Sequence, residues 1–150
     1  IGPTCSASVA LDVSKMKDGD FAGFSVLQKK YGLVGVKIDE GQKSIVMITT
    51  DNDKPVEVER IPLDQDQIYF RIDCDFTGMN DEAISLYALN GKDEAKFSYS
   101  LDGKVWNPIG NILKMKYDIP HFMGYRFGLF NYATKNTGGH VDFDWFRIKY

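Results

Sequence analysis

Cysteine, histidine and tryptophan are scarce in this chain, with two of each among 150 residues. Cys5 and Cys74 form no CxxC pair, and their spacing matches no zinc pattern. His121 and His140 have no partner spacing that would mark a nucleophile's base or a zinc site, so both read as core or turn residues. No apolar run approaches the roughly 18 residues of a membrane span, which excludes a helical membrane anchor within these residues. Basic excess is missing as well. Lys and Arg number 18 against 21 Asp and Glu, for a net charge of −3, so the footprint expected of a nucleic-acid binder is absent. Ile1-Gly2-Pro3-Thr4 lacks the pattern of a signal peptide and reads as the start of an excised domain, with any export encoded elsewhere. There is no linker, repeat or low-complexity tract, and no segment holds a helical period for three turns.

What is present is alternation. Strand signals recur every 8 to 12 residues between Gly, Asp and Asn clusters, the pattern of an all-β sandwich. Segments 9–13, 21–27, 33–38, 45–50, 56–61, 68–76, 84–89, 96–101, 125–133 and 141–148 read as strands. Asp102-Gly103 reads as a hairpin turn before Val105-Trp106. The expectation is a single domain over residues 1–150, an antiparallel two-sheet sandwich of about eleven strands. A chain of this length buries roughly two-thirds of its unfolded surface, so it does not need disulfides for stability.

The cleanest alternation puts Ile68, Phe70, Ile72, Cys74 and Phe76 inward and Tyr69, Arg71, Asp73 and Asp75 outward. Cys74 therefore reads as a buried, inert thiol; a bridge to Cys5 stays open if the first strand pairs beside it. Phe and Tyr are plentiful, at 10 and 8 residues, and some of these rings can serve as platforms. A sugar site needs an aromatic face for the apolar side of the pyranose and polar groups for its hydroxyls. Tyr69, Arg71 and Asp73 form such a row, and Arg126, beside Tyr125 and near Tyr132, is expected to join it. The alternative is an ordinary salt-bridged outer face. Trp106 reads either as a staple over the preceding turn or as a stacking residue.

Catalysis by two carboxylates finds little support. Glu57 and Glu59 fall on one face of a regular strand, about 6.5 to 7 Å apart, a separation an inverting glycosidase would tolerate. Their setting, Val56-Glu57-Val58-Glu59-Arg60, is the alternation of a solvated face. At the end of the chain, Asp144, Phe146 and Ile148 share a face at period two. A carboxylate heading an apolar row needs solvent or a cation.

That ending, Asp144-Trp145-Phe146-Arg147-Ile148 closed by Tyr150, resembles the last strand of concanavalin A-like jelly rolls. Other stretches extend the likeness over essentially the whole chain: Gly2-Pro3-Thr4-Cys5, Val9-Ala10-Leu11-Asp12-Val13-Ser14, Met16-Lys17-Asp18-Gly19-Asp20, Ala22-Gly23, Tyr99–Trp106 and Pro120–Phe127. Together they resemble the C-terminal β-sandwich of family 43 β-xylosidases and arabinofuranosidases, a module also treated as xylan-binding. The resemblance implies a non-catalytic accessory domain whose partners are xylan or xylo-oligosaccharide and an N-terminal catalytic propeller. The alternative is a structural domain that completes the propeller's active site without a sugar site of its own. The Glu-x-Asp-x-Glu strand of concanavalin A-like glycanases does not occur.

In several such families the carboxylate at the position of Asp144 binds structural calcium. A hard cation takes six to eight oxygens, and Asp12, Asp18, Asp20 and Asp144 are the expected ligands, with Asp144 brought near the Asp18-Gly19-Asp20 turn by pairing of first and last strands. Phe122 lies in a loop stiffened by Pro120 and freed again at Gly124. It matches the phenylalanine that, in the resembled enzymes, reaches into the propeller's pocket; the alternative is that it packs in its own core.

Overall fold

The structure is a computed structural model and describes residues 4–51, 54–77, 93–115 and 125–150. The strands are β1 (Thr4–Asp12), β2 (Asp20–Leu27), β3 (Gly32–Asp39), β4 (Gln42–Asp51), β5 (Lys54–Pro62), β6 (Gln67–Asp75), β7 (Glu94–Ser100), β8 (Asn107–Pro108), β9 (Leu113–Lys114), β10 (Arg126–Ala133) and β11 (Asp142–Lys149). They form two antiparallel sheets. One has the order β11-β1-β6-β7-β8, with β9 also on β7; the other has the order β10-β2-β3-β4-β5. Among the described residues no helix is long and apolar enough to cross a membrane. The strand expected at 84–89 lies outside the described residues.

Alternation decides which side chains enter the core. Val9 and Leu11 of β1, Ile68, Phe70 and Ile72 of β6, Phe24 and Val26 of β2, and Ile45 and Met47 of β4 are all buried in one cluster between the sheets. Each such side chain contributes about 1.5 to 3 kcal/mol on burial. β1 begins five residues earlier than its apolar signal, because Cys5 and Ala7 continue the inward row with small residues that carry little hydrophobic weight.

First and last strands do pair: β1 lies between β11 and β6. Two bulges, however, break the simple period of two. In β11 the register shifts between Ala10 and Leu11 of its partner, so that Trp145 faces Ala10 and Phe143 faces Leu11. Asp144 is the extra residue, without a cross-strand partner. It therefore does not head the apolar row; Phe143 stands opposite Leu11, Phe146 opposite Val9 and Ile148 opposite Ala7. In β5 a shift between Met47 and Ile48 of its partner leaves Glu59 facing Met47 and Glu57 facing Ile48. The extra residue, Val58, puts the two glutamates on opposite faces, contrary to the regular-strand expectation.

Candidate functional site

The outer face of the six-stranded sheet is a trough built on β1. Its outward residues are short: Ser6, Ser8 and Ala10. Ala10 has Tyr69 on one side and Trp145 on the other, and Ser8 lies between Arg71 and Arg147. Ser6 is flanked by Asp73 and Lys149. Long side chains from β6 and β11 thus stand as two walls along a floor of small ones, a consequence of side chains alternating across each strand and aligning between them.

The walls interact. Tyr69 and Trp145 have ring centroids 6.1 Å apart, tilted by 33°, so they close over Ala10, which is buried although it faces outward. The Arg147 guanidinium lies 4.3 Å from the Trp145 ring centroid, and that of Arg71 lies 4.6 Å from the centroid of Trp106. These are cation–π distances. Arg71 Nε also donates to Asp73 at 3.0 Å.

The turn after β7 supports this edge. Asp102 Oδ1 accepts from the N–H groups of Lys104 and Val105 at 2.8 and 2.9 Å. Gly103, at φ +73°, is so close to Tyr69 that an added Cβ would lie 3.3 Å from its Cζ. The loop after this turn carries Trp106 to the Arg71 guanidinium, which puts Trp106 beside the surface row.

Tyr69, Arg71 and Asp73 therefore form the expected row. Arg126 does not join it. It stands on β10 opposite Leu27 in the other sheet, and the outer faces of two packed sheets point away from each other. Trp145 and Arg147 take the place expected for it. Their outward direction follows from inward Phe146 and Ile148; only the placement of β11 beside β1 brings them to Tyr69. Phe122 and His121 lie outside the described residues. His140 is exposed, and its N–H donates to the Lys15 carbonyl.

The glutamates have separate partners. Glu57 receives a bidentate Arg60 guanidinium at 2.7 and 2.9 Å, which holds its carboxyl below the usual range. Glu59 accepts from the Gly110 N–H at 2.6 Å. On opposite faces of β5 and each with its own partner, the two carboxylates are not arranged to flank one glycosidic bond.

Among the described residues, no three Asp, Glu, His or Cys side chains converge as a metal cage. Asp12 caps its own turn, accepting from the Ser14 N–H at 2.9 Å. Asp18 is taken by the Lys135 ammonium at 2.6 Å and by the Gly41 N–H at 3.1 Å; the lysine hydrogen bond lowers its pKa from the ordinary value. Asp144 is exposed at its bulge. Asp20 differs. Its residue is 1% exposed, its Oδ2 accepts from the Lys17 N–H at 2.7 Å, and its Oδ1 has no partner among the described residues. Gly139 packs directly on this carboxylate. It is thus the Gly138–His140 turn that meets Asp20, whereas Asp144 lies farther along β11.

The family model described as the β-xylosidase C-terminal concanavalin A-like domain matches residues 1–149. A curated β-xylosidase of Formosa agariphila is 29% identical over 152 residues, covering 100% of this chain and 22% of that protein. Among solved structures, a "Bifunctional GH43-CE" protein of Bacteroides eggerthii is 54% identical, with a TM-score of 0.87, over 99% of this chain and 18% of its own. A family 43 glycoside hydrolase engineered to display both endo-xylanase and exo-arabinofuranosidase activity is 29% identical, with a TM-score of 0.84, over 98% of this chain and 29% of its own. The chain therefore spans about a fifth to three tenths of the length of these three relatives.

Proposed function

The chain belongs to the β-xylosidase C-terminal concanavalin A-like domain family, and from that premise we propose that it is a xylan-binding accessory module of a family 43 glycoside hydrolase. The catalytic domain of such an enzyme is not within this chain. The observation carrying the sugar-binding reading is the trough along β1, with Tyr69 and Trp145 at one end and Arg71, Arg147 and Asp73 beside them. Aromatic rings accept the C–H face of a pyranose, and the guanidinium and carboxylate groups address its hydroxyls. The two rows of long side chains run along β1 and suit a polymer lying beside that strand. The activities for which the relatives are named, β-xylosidase, endo-xylanase and exo-arabinofuranosidase, support the same class of ligand.

Such an open site gives weak affinity, with Kd on the order of 0.1 to 1 mM, or roughly −4 to −5.5 kcal/mol. Affinity electrophoresis should show retardation by xylan above that by cellulose or starch, and calorimetry with xylohexaose should give a matching Kd. Tyr69→Ala combined with Trp145→Ala is expected to weaken binding by about tenfold or more, since each lost stacking contact costs on the order of 1 kcal/mol. Unchanged binding in that variant would move the site elsewhere. Absence of heat at millimolar xylohexaose would instead favour the structural reading. That reading has its own observation: Leu129, Phe146 and Ile148 sit on inward positions of β10 and β11 yet are 45, 41 and 40% exposed, an uncovered apolar seam.

Calcium is proposed with Asp20 as its single carboxylate; backbone carbonyls and water would have to supply the remaining oxygens that a hard cation takes. The buried, unpartnered Oδ1 supports this. The ion would tie the turn after β1 to the turn before β11. Chelation should then lower the melting temperature by several degrees. Asp20→Asn, which keeps an acceptor for the Lys17 N–H but drops the charge, should abolish that response. A melting curve indifferent to chelator and to calcium would eliminate the site.

A further inference from the structure

Cys5 and Cys74 are both unbridged in this structure, on adjacent strands and in direct register. Directly opposed residues of an antiparallel pair have Cα atoms about 4.5 or 5.5 Å apart, depending on pair type. Both values fall within the range of roughly 4.4 to 6.8 Å that a disulfide spans. The two thiols are close enough for each to perturb the ionisation of the other. Both residues line a surface cavity of about 380 Å³ bordered by Ser6, Asp73, Lys96 and Lys149, through which a small disulfide can approach. We propose that Cys5 and Cys74 form a redox-reversible staple, a disulfide that joins β1 to β6 at the lower end of the trough.

The chemistry is thiol–disulfide exchange with a small disulfide such as oxidised glutathione. One thiol, deprotonated, attacks a glutathione sulfur, forming a mixed disulfide and releasing one reduced glutathione. The second thiol, deprotonated in turn, attacks the protein sulfur of that mixed disulfide and releases the second. Two protein S–H groups become one S–S bond, and the S–S bond of glutathione becomes two S–H groups. Cys5 is the better first attacker: it is 7% exposed against 4% for Cys74. Burial raises both thiols above the ordinary range, Cys74 by much more. Exchange should therefore be slow at neutral pH and faster as pH rises.

The staple would close a loop of about 70 residues and restrict the unfolded chain accordingly. The test is to equilibrate the chain in oxidised glutathione, quench with acid, alkylate and weigh it. The expected product is an unalkylated monomer lighter by about 2 Da, melting about 5 to 10 °C above the dithiothreitol-treated chain. Cys5→Ser and Cys74→Ser should each lose both effects. Refolding the denatured chain in the same buffer removes burial as a barrier. Oxidation there supports the staple even if the folded thiols exchange too slowly to follow. Both thiols still alkylated after refolding, a disulfide only between chains, or a lower melting temperature on oxidation would each overturn the proposal.

Discussion

Phe24→Ala should be the most damaging single truncation in the core, costing about 3 to 5 kcal/mol. Phe24 is fully buried on β2 and touches both layers. Its ring stacks on Phe127 of β10, with centroids 5.5 Å apart, and meets the edge of Phe146 of β11 at 5.7 Å. Removing it takes away apolar burial and also the contact that ties the two sheets beside the uncovered seam. Neighbours on paired strands cannot collapse freely into the gap, so most of the cavity should persist. In urea the midpoint should fall with the slope unchanged, and the melting temperature should drop by roughly 10 °C or more. A loss below about 1.5 kcal/mol would mean that Phe146 swings inward and refills the space.

A second large effect is expected from adding one methyl group. Gly23 of β2 and Gly35 of β3 are directly paired. A Cβ on Gly23 would sit 2.5 Å from the Gly35 Cα and inside the van der Waals envelope of the Val34 carbonyl oxygen. Those are backbone atoms of a central strand, which cannot rotate aside as a side chain can. Gly23→Ala should therefore cost about 2 to 3 kcal/mol, at the upper end of overpacking effects, although alanine is the better residue in an ordinary strand. Gly41→Ala is the control. Nothing lies within 4 Å of its Cβ position, but its φ of +77° strains an L residue, so its cost should stay near 1 kcal/mol. Equal losses at the two positions would show that sterics at the β2–β3 contact are not the cause.

The alternation of Ile68, Phe70, Ile72 and Cys74 was legible in the sequence, because period-two burial is a local property of a strand between core and solvent. So were the Asp102-Gly103 turn, the outward Tyr69-Arg71-Asp73 row and the resemblance carried by the chain's last strand. Local pattern by itself determined an all-β domain of two sheets and the side of β6 that faces outward. The two bulges were not legible. A single inserted residue leaves no compositional mark, and the sequence of one strand does not specify which of its residues stays unpaired. That choice is made against a partner strand, and it separated Glu57 from Glu59 and released Asp144 from the apolar row. The same holds for neighbours distant in sequence. Arg126 went to the other layer, Trp145 and Arg147 came to Tyr69 across Ala10, Cys5 met Cys74, and Asp20 came under Gly139. Each of these juxtapositions depends on strand order and register, which are settled by packing of the whole domain and only then bring separate local patterns onto one surface.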